Sequence, residues 1–331
     1  MVRYGLEYRE IVKERYDLVL SLRLISKKYE KMEVFAKPDF VKKQFGCFLR
    51  SPLHTTIATL EGHTQSVKCL AIHENKLYSG SWDKTIRIWN TDTHECIATL
   101  EGHTWGVRCL AFHENKLYSG SLDGTIRIWN TETHECIATL EGHTDNVECL
   151  AFHENKLYSA SKDKTIRIWN TETHECIATL RGHTEWVYCL AIHENKLYSG
   201  GDDGTIRIWD TETHECIATL EGRANSVFCL AIHGNKLYSG SCDETIRIWN
   251  TDTLECIATL KGHTDWVNCL AIHGNKLYSG SVDNTIRIWN TDTHECIATL
   301  RGHTREVYCL AIHENKLYSG GFDKNIHIWC I

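Results

Sequence analysis

A block of forty residues recurs seven times from Gly62 onward, in register and without insertion or deletion. A repeat of this length is one supersecondary unit too small to bury its own apolar face, so copies must stack on one another. The general expectation of about two domains for a chain of 331 residues gives way to this pattern. A Gly-His pair opens six copies: Gly62-His63, Gly102-His103, Gly142-His143, Gly182-His183, Gly262-His263 and Gly302-His303. The fifth copy reads Gly222-Arg223. A tryptophan closes each unit, at Trp89, Trp129, Trp169, Trp209, Trp249, Trp289 and Trp329.

Each unit holds four short strand patterns separated by turn residues. In the first they are Val67–Ile72, Lys76–Ser81, Thr85–Trp89 and Glu95–Leu100. Thr85-Ile86-Arg87-Ile88-Trp89 alternates as a strand with one buried face should. His73-Glu74-Asn75, Asp83-Lys84 and Asn90-Thr91-Asp92-Thr93 supply the turns. Of the 16 cysteines, those from Cys69 to Cys309 alternate at spacings of 27 and 13, with Cys242 added. They are one repeating pair inside apolar runs, and they read as small buried hydrophobes rather than zinc ligands, which cluster at short spacing.

Four antiparallel strands every forty residues, Gly-His early and Trp late, resemble the WD-repeat β-propeller family. The resemblance covers residues 55–331. It implies an all-β fold, a closed seven-bladed propeller of four-stranded blades. The family's Trp-Asp dipeptide survives only at Trp209-Asp210; five copies have Trp-Asn and the last has Trp329-Cys330. The seventh unit stops after its third strand, and the missing strand precedes the first unit. His54-Thr55-Thr56-Ile57-Ala58-Thr59-Leu60 matches His94-Glu95-Cys96-Ile97-Ala98-Thr99-Leu100. Strand 55–60 is therefore expected to complete the last blade and leave no open edge.

His63, Ser79 and Asp83 recur with Trp89, and the resemblance implies a hydrogen-bonded chain through these four. Buried polar groups of this kind are tolerated only when satisfied. Ser79 is preferred over Ser81, whose place is taken by Gly201 and Gly321. A catalytic Ser-His-Asp reading fails because the same set recurs around the ring with identical neighbours. In the fifth unit Arg223 and Ala224 break the pattern, so that blade is expected to fray first.

The copies differ mainly in four columns, each with five or more residue types. Two before the first-strand Val stand Gln65, Trp105, Asp145, Glu185, Asn225, Asp265 and Arg305. One before it stand Ser66, Gly106, Asn146, Trp186, Ser226, Trp266 and Glu306. One after it stand Lys68, Arg108, Glu148, Tyr188, Phe228, Asn268 and Tyr308. Before the turn Asp stand Trp82, Leu122, Lys162, Asp202, Cys242, Val282 and Phe322. In a four-strand meander all four columns fall at one end, around one mouth of the channel. His73, Asn75, Lys76, Thr91 and Glu95, at the other end, hardly vary. The expected partner site comprises Lys68, Trp82, Trp105, Arg108, Trp186, Tyr188, Phe228, Trp266, Arg305, Tyr308 and Phe322, rich in the Trp, Tyr and Arg that dominate interface hot spots. Arg305, Lys68 and Arg108 form a basic arc expected to meet an acidic or phosphorylated segment of a protein or peptide; Asp145, Glu148, Glu185 and Asp202 lie beyond it.

Residues 1–50 differ in kind. They carry 12 Lys+Arg against 7 Asp+Glu, while residues 51–331 are net acidic. That division does not read as a nucleic-acid binder. Leu18, Leu22, Ile25, Tyr29 and Met32 fall at helical spacing, which gives a short α-helical N-terminal extension ahead of the propeller at 51–331. Asp17-Leu18-Val19-Leu20-Ser21-Leu22-Arg23-Leu24-Ile25-Ser26-Lys27-Lys28-Tyr29 resembles the middle of an F-box, the module that docks the adaptor of cullin ubiquitin ligases, although the usual Leu-Pro opening is absent. F-box plus WD-repeat propeller is a known architecture of substrate receptors. The alternative is a helix that packs on the propeller or pairs with another chain. No apolar run reaches the roughly 18 residues of a membrane span, and Leu18–Ile25 lacks the flanks of a signal peptide; the expected compartment is cytoplasmic or nuclear. No single-copy nucleophile, metal-ligand cluster or phosphate loop stands out, so no cofactor and no enzymatic activity are expected. A non-enzymatic interaction scaffold is the leading reading, and a ligase substrate receptor the second.

Overall fold

The computed structural model describes residues 55–221 and 225–331. The helices expected within residues 1–50, the F-box-like segment and the Arg223-Ala224 departure lie outside them.

Seven four-stranded antiparallel sheets form the propeller. In blade one the strands are Val67–His73, Lys76–Ser81, Ile86–Asn90 and Cys96–Leu100. Each is within a residue or so of its expected span. Within each blade the strands pair in chain order, and the first strand of one blade packs on the first strand of the next. The variable residue after the first-strand Val therefore faces the central channel.

The apolar alternation buries its residues between blades. Cys69, Tyr78, Ile86, Ile88 and Leu100 of blade one pack on Val107, Leu117 and Trp129 of blade two. The same arrangement recurs at every interface. Close approach needs a small residue on the second strand. A Cβ at Gly80 would lie 2.5 Å from the Cys69 sulfur and 2.7 Å from a Val107 methyl. Blade three carries Ala160 there, and its Cys149 thiol, facing the Leu150 carbonyl, is less deeply buried than its counterparts. The methyl and the thiol compete for one space.

Ring closure follows the sequence pattern. Strand Thr56–Leu60 pairs with Ile326–Cys330, with Leu60 opposite Ile326 as Leu100 is opposite Ile86. Leu60 joins Cys309, Tyr318, Ile326 and Ile328 against Val67, Leu77 and Trp89 of blade one.

The cysteines divide into two sets, which corrects the reading of them all as buried. Cys69, Cys109, Cys189, Cys229, Cys269 and Cys309 are buried, but Cys96, Cys136, Cys176, Cys216, Cys256 and Cys296 are exposed. The cause is a bulge in the outer strand. Trp89 pairs with Cys96 and Ile88 with Ala98, so Ile97 is displaced from the ladder. Both residues then face outward, and Ile97 is 47% exposed.

Polar side chains tie the loops of each blade to this frame. Trp89 Nε1 donates to Ser79 Oγ at 2.8 Å, and Ser79 Oγ lies 2.8 Å from His63 Nε2. His63 Nδ1 lies 2.7 Å from Asp83 Oδ2. With the imidazole proton on Nδ1, every member is satisfied in one direction: Trp to Ser, Ser to His, His to Asp. Asp83 also accepts from the Thr64 N–H and from the N–H and hydroxyl of Thr85. Ser81, the rejected candidate, instead donates to the Gln65 carbonyl and accepts from the Asp83 N–H. The four-residue chain recurs in blades two, three, four, six and seven. In blade five Trp249 keeps its bond to Ser239. Ser79 is wholly buried and accepts the tryptophan donor, so it is a structural hydroxyl.

Burial pushes the Asp83 carboxyl up, but the hydrogen bonds from His63 and Thr85, the imidazole and the Thr64 N–H outweigh it and hold it well below the usual carboxylate range. Asp123, Asp163, Asp203 and Asp283 behave alike, and Asp323 is held low as well, with His327 in place of the threonine hydroxyl. A depressed carboxylate stabilises the fold above its unfolded pKa of about 3.9 and loses that contribution as pH falls toward the folded value. Urea unfolding midpoints should therefore fall steeply and continuously below about pH 4; a midpoint level from pH 5 to pH 2.5 would contradict the network.

Candidate functional site

The four variable columns meet at one end of the ring. In every blade the residue before the turn Asp donates its N–H to the carbonyl of the residue before the first-strand Val. Trp82 bonds to Ser66, Leu122 to Gly106, Lys162 to Asn146, Asp202 to Trp186, Cys242 to Ser226, Val282 to Trp266 and Phe322 to Glu306. Two columns are thus joined by backbone, and the other two flank them.

Three patches make up this face. The first spans blades seven and one. Lys68 Nζ lies 3.0 Å from the centroid of the Tyr308 ring and 3.8 Å from that of Trp82. Phe322 meets Trp82 and Tyr308 edge-on or tilted, and Arg305 lies over Phe322 at 4.3 Å. The second spans blades two and three. Arg108 Nε contacts Glu148 at 2.5 Å, and Lys162 Nζ reaches the other Glu148 oxygen at 3.9 Å. The third is an aromatic arc over blades four to six. Trp186, Tyr188, Phe228 and Trp266 follow one another at centroid separations of 6.2, 5.2 and 5.4 Å. Lys162 lies over Trp186 at 4.0 Å. Asp202 accepts from Tyr188 and Ser226 and so links blades four and five below the arc.

The expected basic arc is altered by these contacts. Lys68 is buried beneath its aromatic neighbours at 5% exposure, Arg108 is engaged by Glu148, and Arg305 lies 3.5 Å from Glu306. Much of the positive charge expected to face a partner is thus compensated inside the ring. The signal was present in the sequence: Arg108 and Glu148 occupy the same column forty residues apart, and one column in adjacent blades means adjacent side chains. The tryptophans behave differently. Trp105 is 64% exposed, Trp266 49%, Trp186 38% and Trp82 37%. These are large apolar groups left in water, the informative kind of surface residue.

The opposite end is less free than its polarity suggests. Thr91 is buried and bonds to the Asn75 carbonyl through both its N–H and its hydroxyl. Lys316 Nζ donates across the blade boundary to the Thr91 carbonyl, and His73 stacks on Phe112 of the next blade. Lys316 and His73 thus join blades, while Thr91 ties two loops of one blade together. Tryptophan exposure, rather than the contrast between the two ends, therefore distinguishes the variable face.

This geometry is that of a closed seven-bladed propeller, and the chain belongs to the WD40 family. The family model for the WD domain, G-beta repeat, matches residues 54–90, 94–130, 134–170, 174–210, 214–250, 254–290 and 294–330. Members of this family are typically non-enzymatic interaction scaffolds. The chain is 57% identical over 35 residues to the WD repeat-containing protein pop2 of Schizosaccharomyces pombe, across 11% of this chain and 5% of that protein. It is 50% identical over 38 residues to the probable E3 ubiquitin ligase complex SCF subunit sconB of Emericella nidulans, across 12% of this chain and 6% of that protein. Each match spans about one repeat, a small part of the relative's length. Among solved structures, the crystal structure of the computationally designed Ika8 protein aligns with a TM-score of 0.68 at 29% identity, over 83% of this chain and 99% of that one.

Burial, then the charge of Arg108, lower the Lys68 pKa to about 6, while Glu148 and Glu306 oppose them. The two ring faces favour the charged form. Burial outweighs the rings, so Lys68→Met removes a desolvation cost and should raise stability by about 1–3 kcal/mol at pH 5. The gain should shrink as pH rises from 6 toward 10.5, because only the unfolded lysine stays charged there. Lower stability of Lys68→Met at pH 5 would contradict this balance.

Proposed function

We propose that this protein is a non-enzymatic scaffold that binds a protein or peptide on the mouth-facing loops of the propeller, with exposed tryptophans as anchors. The observation that carries this reading is the exposure of Trp105, Trp186 and Trp266 on one face. Burying such side chains on a partner contributes most of the affinity in typical interfaces. Tyr188 and Phe228 pack between Trp186 and Trp266 and hold these two anchors in one arc. An acidic or phosphorylated partner segment would have Arg305 as its most open cation, since Lys68 is covered and Arg108 is paired.

A second reading, substrate receptor of a cullin-type ubiquitin ligase, is favoured by two observations. Residues 17–29 resemble an F-box, and one repeat is similar to ligase subunits named sconB. In this reading the same face selects the target and residues 1–50 recruit the adaptor.

One set of affinity captures from a eukaryotic cell extract tests both. The baits are residues 1–331, the Trp105→Ala/Trp186→Ala/Trp266→Ala variant, residues 51–331, and Glu132→Ala at the opposite end. Partners of the variable face should be lost with the triple variant, at roughly 30-fold in affinity per anchor, and kept with Glu132→Ala. A cullin adaptor recovered only with residues 1–331 would support the receptor reading. Full retention of all partners by the triple variant would overturn the assignment of the face.

A further inference from the structure

Blade seven departs from the other blades around a single carboxylate. Six blades carry Arg at the position of Arg87; blade seven carries His327. Six carry Thr at the position of Thr85; blade seven carries Asn325. In blades one to six the Thr hydroxyl donates to the turn Asp at 2.6–2.7 Å. Asn325 has no such hydroxyl, and its N–H is 3.3 Å from Asp323 Oδ1. Asp323 has therefore lost a strong donor and gained a second imidazole.

The three side chains converge. His303 Nδ1 is 2.8 Å from Asp323 Oδ2, His327 Nε2 is 3.7 Å from the same oxygen, and the three ligand atoms lie within 4.8 Å of one another. Both imidazoles are buried, at 7% and 9% exposure. His327 Nδ1 lies 3.3 Å from Thr59 Oγ1. With its proton on Nδ1 facing that hydroxyl, His327 turns the Nε2 lone pair toward a carboxylate oxygen, an arrangement relieved either by moving the proton to Nε2 or by a cation between them. No other group of three His, Cys, Asp or Glu ligands meets in this way among the described residues.

We propose that His303, Asp323 and His327 bind one zinc-class divalent transition-metal ion. Two imidazoles and a carboxylate suit this class, and ligand distances of about 2.0–2.1 Å put ligand atoms roughly 3.3 Å apart. The widest pair, within 4.8 Å, then needs to close by about 1.5 Å, while His303 and Asp323, at 2.8 Å, open slightly. Thr59 accepts from His327 Nδ1–H and fixes its tautomer, the outer support that metal-bound histidines require. His303 moves its proton from Nδ1 to Nε2, where it donates to Ser319 Oγ, already 2.7 Å away. Three protein ligands leave one coordination position open. His327 stands opposite Thr59 of the N-terminal strand, so the ion acts as a clasp where the ring closes. Sequence spacing hid the cluster because its ligands come from two loops and a strand.

The test titrates the full chain with Zn²⁺ and with Co²⁺, after its exposed thiols are alkylated in the native state, beside His327→Arg and Asn325→Thr. His327→Arg restores the residue of the other six blades and is compatible with the fold. The wild type should bind one more equivalent than His327→Arg, with visible Co²⁺ bands and no near-ultraviolet thiolate band. Zn²⁺ at 100-fold excess over Kd should raise its Tm by about 5 °C, and Asn325→Thr should bind more weakly. Equal binding by wild type and His327→Arg, or no Tm shift in the wild type, would overturn the site and leave His327 as a simple ion-pair partner of Asp323.

Discussion

The structure depends on where its apolar side chains go: every core lies between two blades and none within one. Ile86, Ile88 and Leu100 project from one face of their sheet and are covered only by Val107, Leu117 and Trp129 of the next. A single blade would expose this face on one side and Val67, Leu77 and Trp89 on the other. Stability is then a property of interfaces between neighbours, and a ring of seven has no uncovered end. The glycine column, the bulged outer strands and the return of the chain to its first strand all serve that contact.

Polar order is layered on this frame. The Trp-Ser-His-Asp chain runs from the buried third strand out to the loops at one end, and fixes them without using their variable side chains. Those side chains can therefore change from blade to blade at little cost to the fold. They have changed into an aromatic arc, an ion-paired segment and a capped lysine. At the other end the loops meet across blades, where Lys316 donates to the Thr91 carbonyl and His73 stacks on Phe112.

The sequence made the frame legible because each structural demand repeats seven times. Strand spans, the exchange of strand 55–60, and the choice of Ser79 over Ser81 all follow from comparing copies. The site was legible in outline only. The columns that gather at the mouth could be named, but each residue was read as facing solvent, and Lys68 faces two rings while Arg108 faces Glu148. Those partners sit in neighbouring blades, so which side chains meet depends on how adjacent blades pack. The exposed Cys96 series was misread because a one-residue bulge reverses the alternation, and nothing in CIATL marks where it falls. The His303–Asp323–His327 cluster is not legible in spacing, because its members come from two loops and a strand that meet only in the fold.

The central claim, that the ring holds together only when its last interface is covered, is tested most directly by removing residues 51–61 and following urea unfolding by tryptophan fluorescence and circular dichroism. Loss of Leu60 uncovers part of the core over Val67 and leaves Ile326–Cys330 as an open edge. The account predicts a much lower midpoint, a broadened transition and concentration-dependent association. A soluble monomer that unfolds in one sharp transition at the midpoint of the intact chain would contradict it.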